Sequence, residues 1–189
     1  MQNKKAKTIV LIIAPLIAIT LGLIMFSIVL YYYPVRHMEL IRYNSGQLDN
    51  SLILAVIHAE SKFKPEARSS KNAVGLMQVT ETTAEWVAGL MLMEDYHPSY
   101  LTDPAINIAI GCFYLNWLMN YFDGDTHLAI SAYNAGQGNV NRWLADERFS
   151  IDGITLDAIP FPETEQYVKR VNDNKKIYDV LLFVVRGQG

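Results

Sequence analysis

The sequence predicts a mainly α-helical protein that carries an N-terminal transmembrane helix, and three observations point there. Residues 8–30 form an uncharged apolar run, TIVLIIAPLIAITLGLIMFSIVL. From Pro34 onward the apolar residues recur at helical spacing, with no long alternating strand pattern. Proline, glycine and small polar residues interrupt that spacing where helix caps and turns would fall.

The apolar run holds roughly 23 residues, enough at about 1.5 Å rise each to cross a hydrocarbon core of about 30 Å. Lys4, Lys5 and Lys7 precede it, and the first firm cation after it is Arg36. The positive-inside rule therefore predicts a single-pass protein of the cell membrane, with its N-terminus cytoplasmic and the remainder outside. Tyr31, Tyr32 and Tyr33 suit the headgroup zone, where an apolar ring and a wet hydroxyl are both satisfied, and Pro34 ends the helix. A cleaved signal peptide is the competing reading. Its apolar core would span about 7–15 residues and end in a small-residue cleavage motif, so an uncleaved anchor is favoured. No cysteine closes the run to accept a lipid. The expected layout is a cytoplasmic tip and anchor over 1–33 and one folded domain over 34–189.

In that domain a helical segment around VRHMELIRY leads to the turn-rich NSGQLDN, whose Asp49 or Asn50 can cap the next helix. That helix, SLILAVIHAESKF, ends before Pro65. Thr80 caps ETTAEWVAGL, and a loop with His97, Pro98, Asp103 and Pro104 follows. AINIAIGCFYLNWLMNYF is apolar nearly all round, as a central helix buried on most faces would be. Asp123, Gly124 and Asp125 end it; THLAISAYNAG begins another helix, interrupted at Gly136 and Gly138. The short amphipathic NVNRWLAD, an irregular stretch with Gly153, Pro160 and Pro162, and a last helix from about Glu163 to Val185 complete the chain.

Composition excludes several functions. Sixteen Lys and Arg against 19 Asp and Glu give a net charge of −3, with the cations scattered, so nothing favours nucleic acid as a partner. Cys112, the one cysteine, lies in an apolar run and reads as a small buried hydrophobe. His37, His58, His97 and His127 are far apart and form no metal-binding spacing, and no metal or organic cofactor is expected. NAGQGNV lacks a preceding strand and the full dinucleotide fingerprint, and Ser61 lacks a nucleophile-elbow context.

Glu60 is the strongest chemical candidate. Residues 52, 53, 56 and 57 form an apolar helix stripe, and position 60 continues it, four after Val56 and three after Ile57. A carboxyl carried toward a core or cleft edge holds its proton to higher pH and can donate it near neutrality. A solvated helix-end glutamate paired with Lys62 or Lys64 fits the same residues equally well. His58 points to another side of the helix and reads as structural.

Several ordered blocks carry a resemblance: Glu60-Ser61, Pro65, Ser69, Gly75-Leu76-Met77-Gln78 and Ala132-Tyr133-Asn134-Ala135-Gly136, with TDPAINIAIGCFYL and IPFPETEQYV. Over about residues 40–180 the chain resembles the exported lytic murein transglycosylases with a lysozyme-like catalytic domain. The resemblance implies a lysozyme-like helical domain that cleaves the β-1,4 bond between N-acetylmuramic acid and N-acetylglucosamine in peptidoglycan glycan strands, leaving 1,6-anhydromuramic acid ends. It implies Glu60 as catalytic acid and base, Ser69 and Gln78 lining the cleft, and Tyr133 approaching both the carboxyl and the substrate. Asn134, Glu163 and Tyr167 are implied as further sugar contacts, although Asn134 can equally cap a helix and Glu163 complement a helix N-terminus. Asn72 stands where similar sequences have glycine, and asparagine tolerates the left-handed backbone expected there. A hydrolytic muramidase and a non-catalytic peptidoglycan-binding assembly module are the alternatives, and the sequence names no protein partner.

Overall fold

The computed structural model describes residues 2–186, so the expected outer limits at 1 and 189 lie outside the described residues. The chain divides into two compact units, with the break between Val35 and Arg36. The first is α1 (Gln2–Tyr32), which runs through Pro15. Its segment Ile13–Tyr32 is 20 residues long with mean hydropathy 2.6, long and apolar enough to cross a membrane. Pro34 lies just past its end, as expected of a residue that cannot continue the ladder.

The second unit contains α2 (Met38–Asn44), α3 (Asn50–Ser61), α4 (Glu81–Leu90), α5 (Pro104–Tyr121), α6 (Thr126–Ala135), α7 (Gln137–Leu144) and α8 (Pro162–Arg186). Two additions to the expected helices are small: a 3-10 turn over Pro98–Thr102, and an antiparallel hairpin of β1 (Ala73–Val74) with β2 (Val79–Thr80). Two-residue strands are too short to leave an alternating signal in sequence. Thr80 caps α4 as expected, accepting from Thr83 N, and the structure adds caps at Asp103, which accepts from Ala105 N, and at Asp125, which accepts from Leu128 N. Asp49 corrects the expectation at α3: it occupies the N-cap position but makes no side-chain cap bond, and its carboxylate instead lies 3.4 Å from Lys175 on α8.

α3 is buried on every side. Ile53, Leu54, Ala55, Val56 and Ile57 are 0% exposed, which an apolar stripe alone does not require. The reason is α8. Its Thr164, Tyr167, Val168, Val171, Asn174, Tyr178 and Leu181 are buried and recur every three or four residues, forming one face that covers α3. Each fully buried Ile or Leu contributes about 1.5–3 kcal/mol, so this pairing is a main source of stability. α5 is buried on most faces as predicted, with Ile108, Ile110, Leu115 and Leu118 in the core. Cys112 is also fully buried; burial pushes its thiol up to about 12, and its neighbour is Met77 Sδ at 4.0 Å.

One polar side chain ties α5 to the hairpin. Asn107, 1% exposed, accepts from Met77 N at 2.7 Å and donates to Val74 O and Leu101 O at 2.9 Å each. Gly75 makes room for it: a Cβ at that glycine would collide with the Asn107 amide and the Leu101 carbonyl, and its φ of +84° also disfavours other residues. Gly111 gives the same close approach to the Met77 side chain. Asn107→Ala removes three bonds from buried groups, so it should lower stability by about 3 kcal/mol or more. Chemical denaturation of the full chain in detergent micelles measures it, and a loss under about 1 kcal/mol would show that the amide is dispensable.

Candidate active site

Glu60 sits in the last turn of α3, and the helix stops immediately beyond it. Lys62 and Phe63 both adopt positive φ, +51° and +61°, and Lys62 N bonds back to His58 O. The reversal folds Phe63 inward against Tyr178, with ring centroids 6.4 Å apart. Ser61, buried beside the glutamate, donates to Ile57 O at 3.2 Å and Leu76 O at 2.8 Å. The helix end is thereby fastened to the Gly75–Gln78 segment.

The loop between α3 and α4 lies against this helix end. Ser69 Oγ accepts from Lys71 N at 3.2 Å and Ala73 N at 3.1 Å, while Ser69 N donates to Ala73 O. Asn72 has φ +59°, the left-handed conformation expected of it. Gln78 also has positive φ, +49°, and its amide donates to Gly75 O at 2.9 Å and Ala67 O at 3.0 Å. The structure thus uses Ser69 and the Gln78 amide nitrogen to hold the loop's own backbone.

α6 and α8 contribute the remaining groups. Tyr133 donates its hydroxyl to Met77 O at 2.9 Å, so the Met77 peptide is held on its N–H side by Asn107 and at its carbonyl by Tyr133. Asn134 Oδ1 accepts from Thr164 at 2.8 Å and joins α6 to the start of α8. Glu163 is exposed in the first turn of α8 and pairs with Lys71 at 3.3 Å, linking that helix to the loop. Neither Lys62 nor Lys64 is ion-paired with Glu60.

Of the expected site residues, Tyr133, Glu163 and Tyr167 couple electrostatically to Glu60, whereas Ser69, Gln78 and Asn134 bond to other groups. Burial pushes the Glu60 carboxyl up to about 7, opposed by the Tyr167 hydroxyl and Arg170 and reinforced by Glu163. The Tyr167 hydroxyl is buried without a hydrogen-bond partner of standard geometry, yet it lies near enough to favour the ionised carboxylate. Arg170 lies over the Tyr167 ring, 5.9 Å from its centroid. Burial first and Glu60 second hold the hydroxyls of Tyr133 and Tyr167 well above the ordinary phenol value, so both remain protonated hydrogen-bond donors. The result is a carboxyl whose proton is exchangeable near neutrality, beside two neutral phenols. Among the described residues, no three His, Cys, Asp or Glu side chains come together as a metal site.

Sequence reasoning missed Asn107, Thr164 and Arg170. Asn107 carried a signal, as the one amide in the apolar run AINIAIGCF. Thr164 and Arg170 carried none, because their roles depend on α8 lying against α3 and α6.

Comparison with known proteins agrees with this geometry. A family model described as the transglycosylase SLT domain matches residues 41–152. A soluble lytic murein transglycosylase of Salmonella typhimurium is 36% identical over 143 residues, covering 74% of this chain and 22% of that protein. A membrane-bound lytic murein transglycosylase C of Histophilus somni is 41% identical over 169 residues, covering 77% and 47%. The chain therefore spans under half the length of these relatives. The crystal structure of the 70 kDa soluble lytic transglycosylase of Escherichia coli superposes with TM-score 0.72 at 31% identity, over 82% of this chain and 26% of that one. An inactive glutamate-to-glutamine mutant of Slt from Pseudomonas aeruginosa superposes with TM-score 0.68 at 36% identity, over 79% and 25%. The membrane-bound relatives and the apolar α1 together point to membrane association. With more than half of its length matched by the family model, the chain belongs to the transglycosylase SLT domain family.

Proposed function

We propose that this protein is a lytic transglycosylase that cleaves the β-1,4 bond between N-acetylmuramic acid and N-acetylglucosamine in peptidoglycan. The observation that carries the reading is the Glu60 carboxyl, held near 7 by burial between two protonated tyrosines. In the forward step Glu60 donates its proton to the glycosidic oxygen, and N-acetylglucosamine leaves with a free C4 hydroxyl. The substrate's acetamido carbonyl stabilises the muramyl anomeric carbon. The Glu60 carboxylate then takes the proton of the muramyl C6 hydroxyl, whose oxygen closes on C1 to form the 1,6-anhydro ring. One bond breaks and one forms, no water is consumed, and Glu60 ends protonated as it began. Because the attacking hydroxyl belongs to the same sugar, its effective concentration is high and no second carboxylate is needed.

In this reading Tyr133 and Tyr167 hold the acid and meet the sugar, while Ser69 and Gln78 shape the cleft wall. Asn134 and Glu163 border it from α6 and α8. Residues 1–33 anchor the protein as a single pass with its N-terminus cytoplasmic, by the charge bias of Lys4, Lys5 and Lys7, and residues 34–189 work outside the membrane. The inactivity of the related glutamate-to-glutamine mutant supports a reaction that depends on a carboxylic acid.

Glu60→Gln should lower turnover of purified peptidoglycan at least about 100-fold while the helical circular dichroism is preserved. Undiminished turnover would remove Glu60 from the role. Mass spectrometry of muropeptides released by the wild type should show anhydro ends; reducing ends would make the enzyme a hydrolase. The same carboxyl also sets a pH dependence. Its folded-state value near 7 lies above the ordinary 4.5, so its proton favours the native state, and this support is complete below about pH 4.5. It is lost as pH rises through 7. Relative to Glu60→Gln, the wild type should therefore be equally stable at pH 4 and about 2–3 kcal/mol less stable at pH 8. Thermal melts across that range measure the gap, and kcat/KM should decline above pH 7 as the acid ionises.

A further inference from the structure

α8 outruns the core that it covers. Its last buried side chain among the described residues is Leu181, while Val180, Phe183 and Val184 are 62%, 80% and 41% exposed. Positions 180, 183 and 184 stand three and four apart, so these side chains share one helix face. The stretch 180–185, VLLFVV, holds no charge. Leu182 and Phe183 border a cavity of about 320 Å³ with Asp49, Asn50 and Ser51 at the head of α3 and Asp179 of α8. Both carboxylates of that cavity pair with Lys175, Asp49 at 3.4 Å and Asp179 at 3.2 Å, so the acidic groups beside the apolar face are partly neutralised.

The candidate site lies toward the other end of this helix. Tyr167 couples to Glu60, and Phe183 follows about 24 Å further along the axis at about 1.5 Å per residue. Only residues 33–37 separate α1 from α2, a connection of at most about 20 Å when fully extended. With α1 in a bilayer, as proposed above, the second unit works within reach of the lipid surface.

We infer that the exposed face of Val180, Phe183 and Val184 enters the lipid headgroup region, so that α8 rests on the membrane and sets how far Glu60 stands from it. The inference rests on the anchoring by α1 and is independent of the chemistry assigned to Glu60. A lipid surface fits this face better than a second protein does. Three side chains fall far short of the roughly 800 Å² per partner that a stable protein interface buries. A bilayer already held close by α1 needs no such area, because a tether turns weak partitioning into an intramolecular event. At the headgroup boundary apolar side chains enter about 5–10 Å while charged groups stay wet, which suits phenylalanine and valine beside ion-paired carboxylates.

The test places one nitrobenzoxadiazole dye on the full chain in proteoliposomes of phosphatidylcholine and phosphatidylglycerol. Cys112 is fully buried, so an introduced cysteine is labelled selectively. A dye at Phe183→Cys should shift to the blue and lose at least about half of its emission to lipids spin-labelled near the glycerol end of the acyl chain. A dye at Ile151→Cys, a position 85% exposed in the segment that leads to the start of α8, should do neither. Adding Val180→Asp and Val184→Asp should return the 183 dye to the level of the 151 dye, with helical circular dichroism unchanged. Equal quenching at 183 and 151 would overturn the inference. So would quenching at 183 that survives both Asp substitutions, which would be the dye's own affinity for lipid. A blue shift that grows with the protein-to-lipid ratio and shows no quenching would also overturn it, because a second copy would then cover the face. A dye at Leu21→Cys tests the anchor separately: if it is unquenched while the 183 dye is quenched, α1 is not embedded and the apolar end of α8 still meets lipid.

Discussion

A carboxyl that keeps its proton near neutrality must be shielded from water, and in this protein the shielding comes from where α3 ends. The helix is buried on all sides through Ile57, so three more residues bring Glu60 to the edge of the core without reaching open solvent. Two consecutive positive-φ residues then stop the helix, and Ser61 fixes its last turn to the facing loop. A longer helix would carry a different residue to that edge, and a looser end would let the carboxyl turn outward and ionise. The raised pKa of the carboxyl therefore depends on α8, whose apolar face closes over α3.

The loop opposite is held by side chains that bond to backbone. Asn72 and Gln78 sit in the left-handed region, which is unfavourable for residues other than glycine. Ser69, the Gln78 amide and Asn107 offset that cost by satisfying backbone groups that a two-residue hairpin leaves unpaired. Met77 is the meeting point. Its N–H reaches Asn107 on α5 and its carbonyl reaches Tyr133 on α6, so a shift of either helix would move the segment fastened to the end of α3. Residues that the family resemblance associates with sugar thus also have an architectural role, and their substitution is expected to disturb both.

The aromatic residues extend this logic outward. Tyr133 belongs to the carboxyl's surroundings, Tyr114 touches it, and Trp117 and Trp86 continue the series to the surface, where Trp117 also lies 5.4 Å from Tyr121. One apolar helix, α5, carries Tyr114, Trp117 and Tyr121 at three- and four-residue spacing, which is why they share a face.

Taken alone, the amino-acid sequence determined the membrane-length apolar helix, the order of the helices and most of their ends. Those features arise from local causes: run length, a 3.6-residue period, and caps such as Thr80 and Asp103 that act within four residues. It also singled out Glu60 and the blocks around it. Only the tertiary structure decided whether that glutamate was a solvated helix-end residue or a shielded acid, because its environment is built from α6 and α8, which begin at Thr126 and Pro162, far along the chain from it. The same holds for Asp49, which turned from its local cap to Lys175, and for Thr164 and Arg170, whose partners are distant in sequence. Burial and long-range pairing are properties of packed helices, and no local pattern encodes which faces will meet.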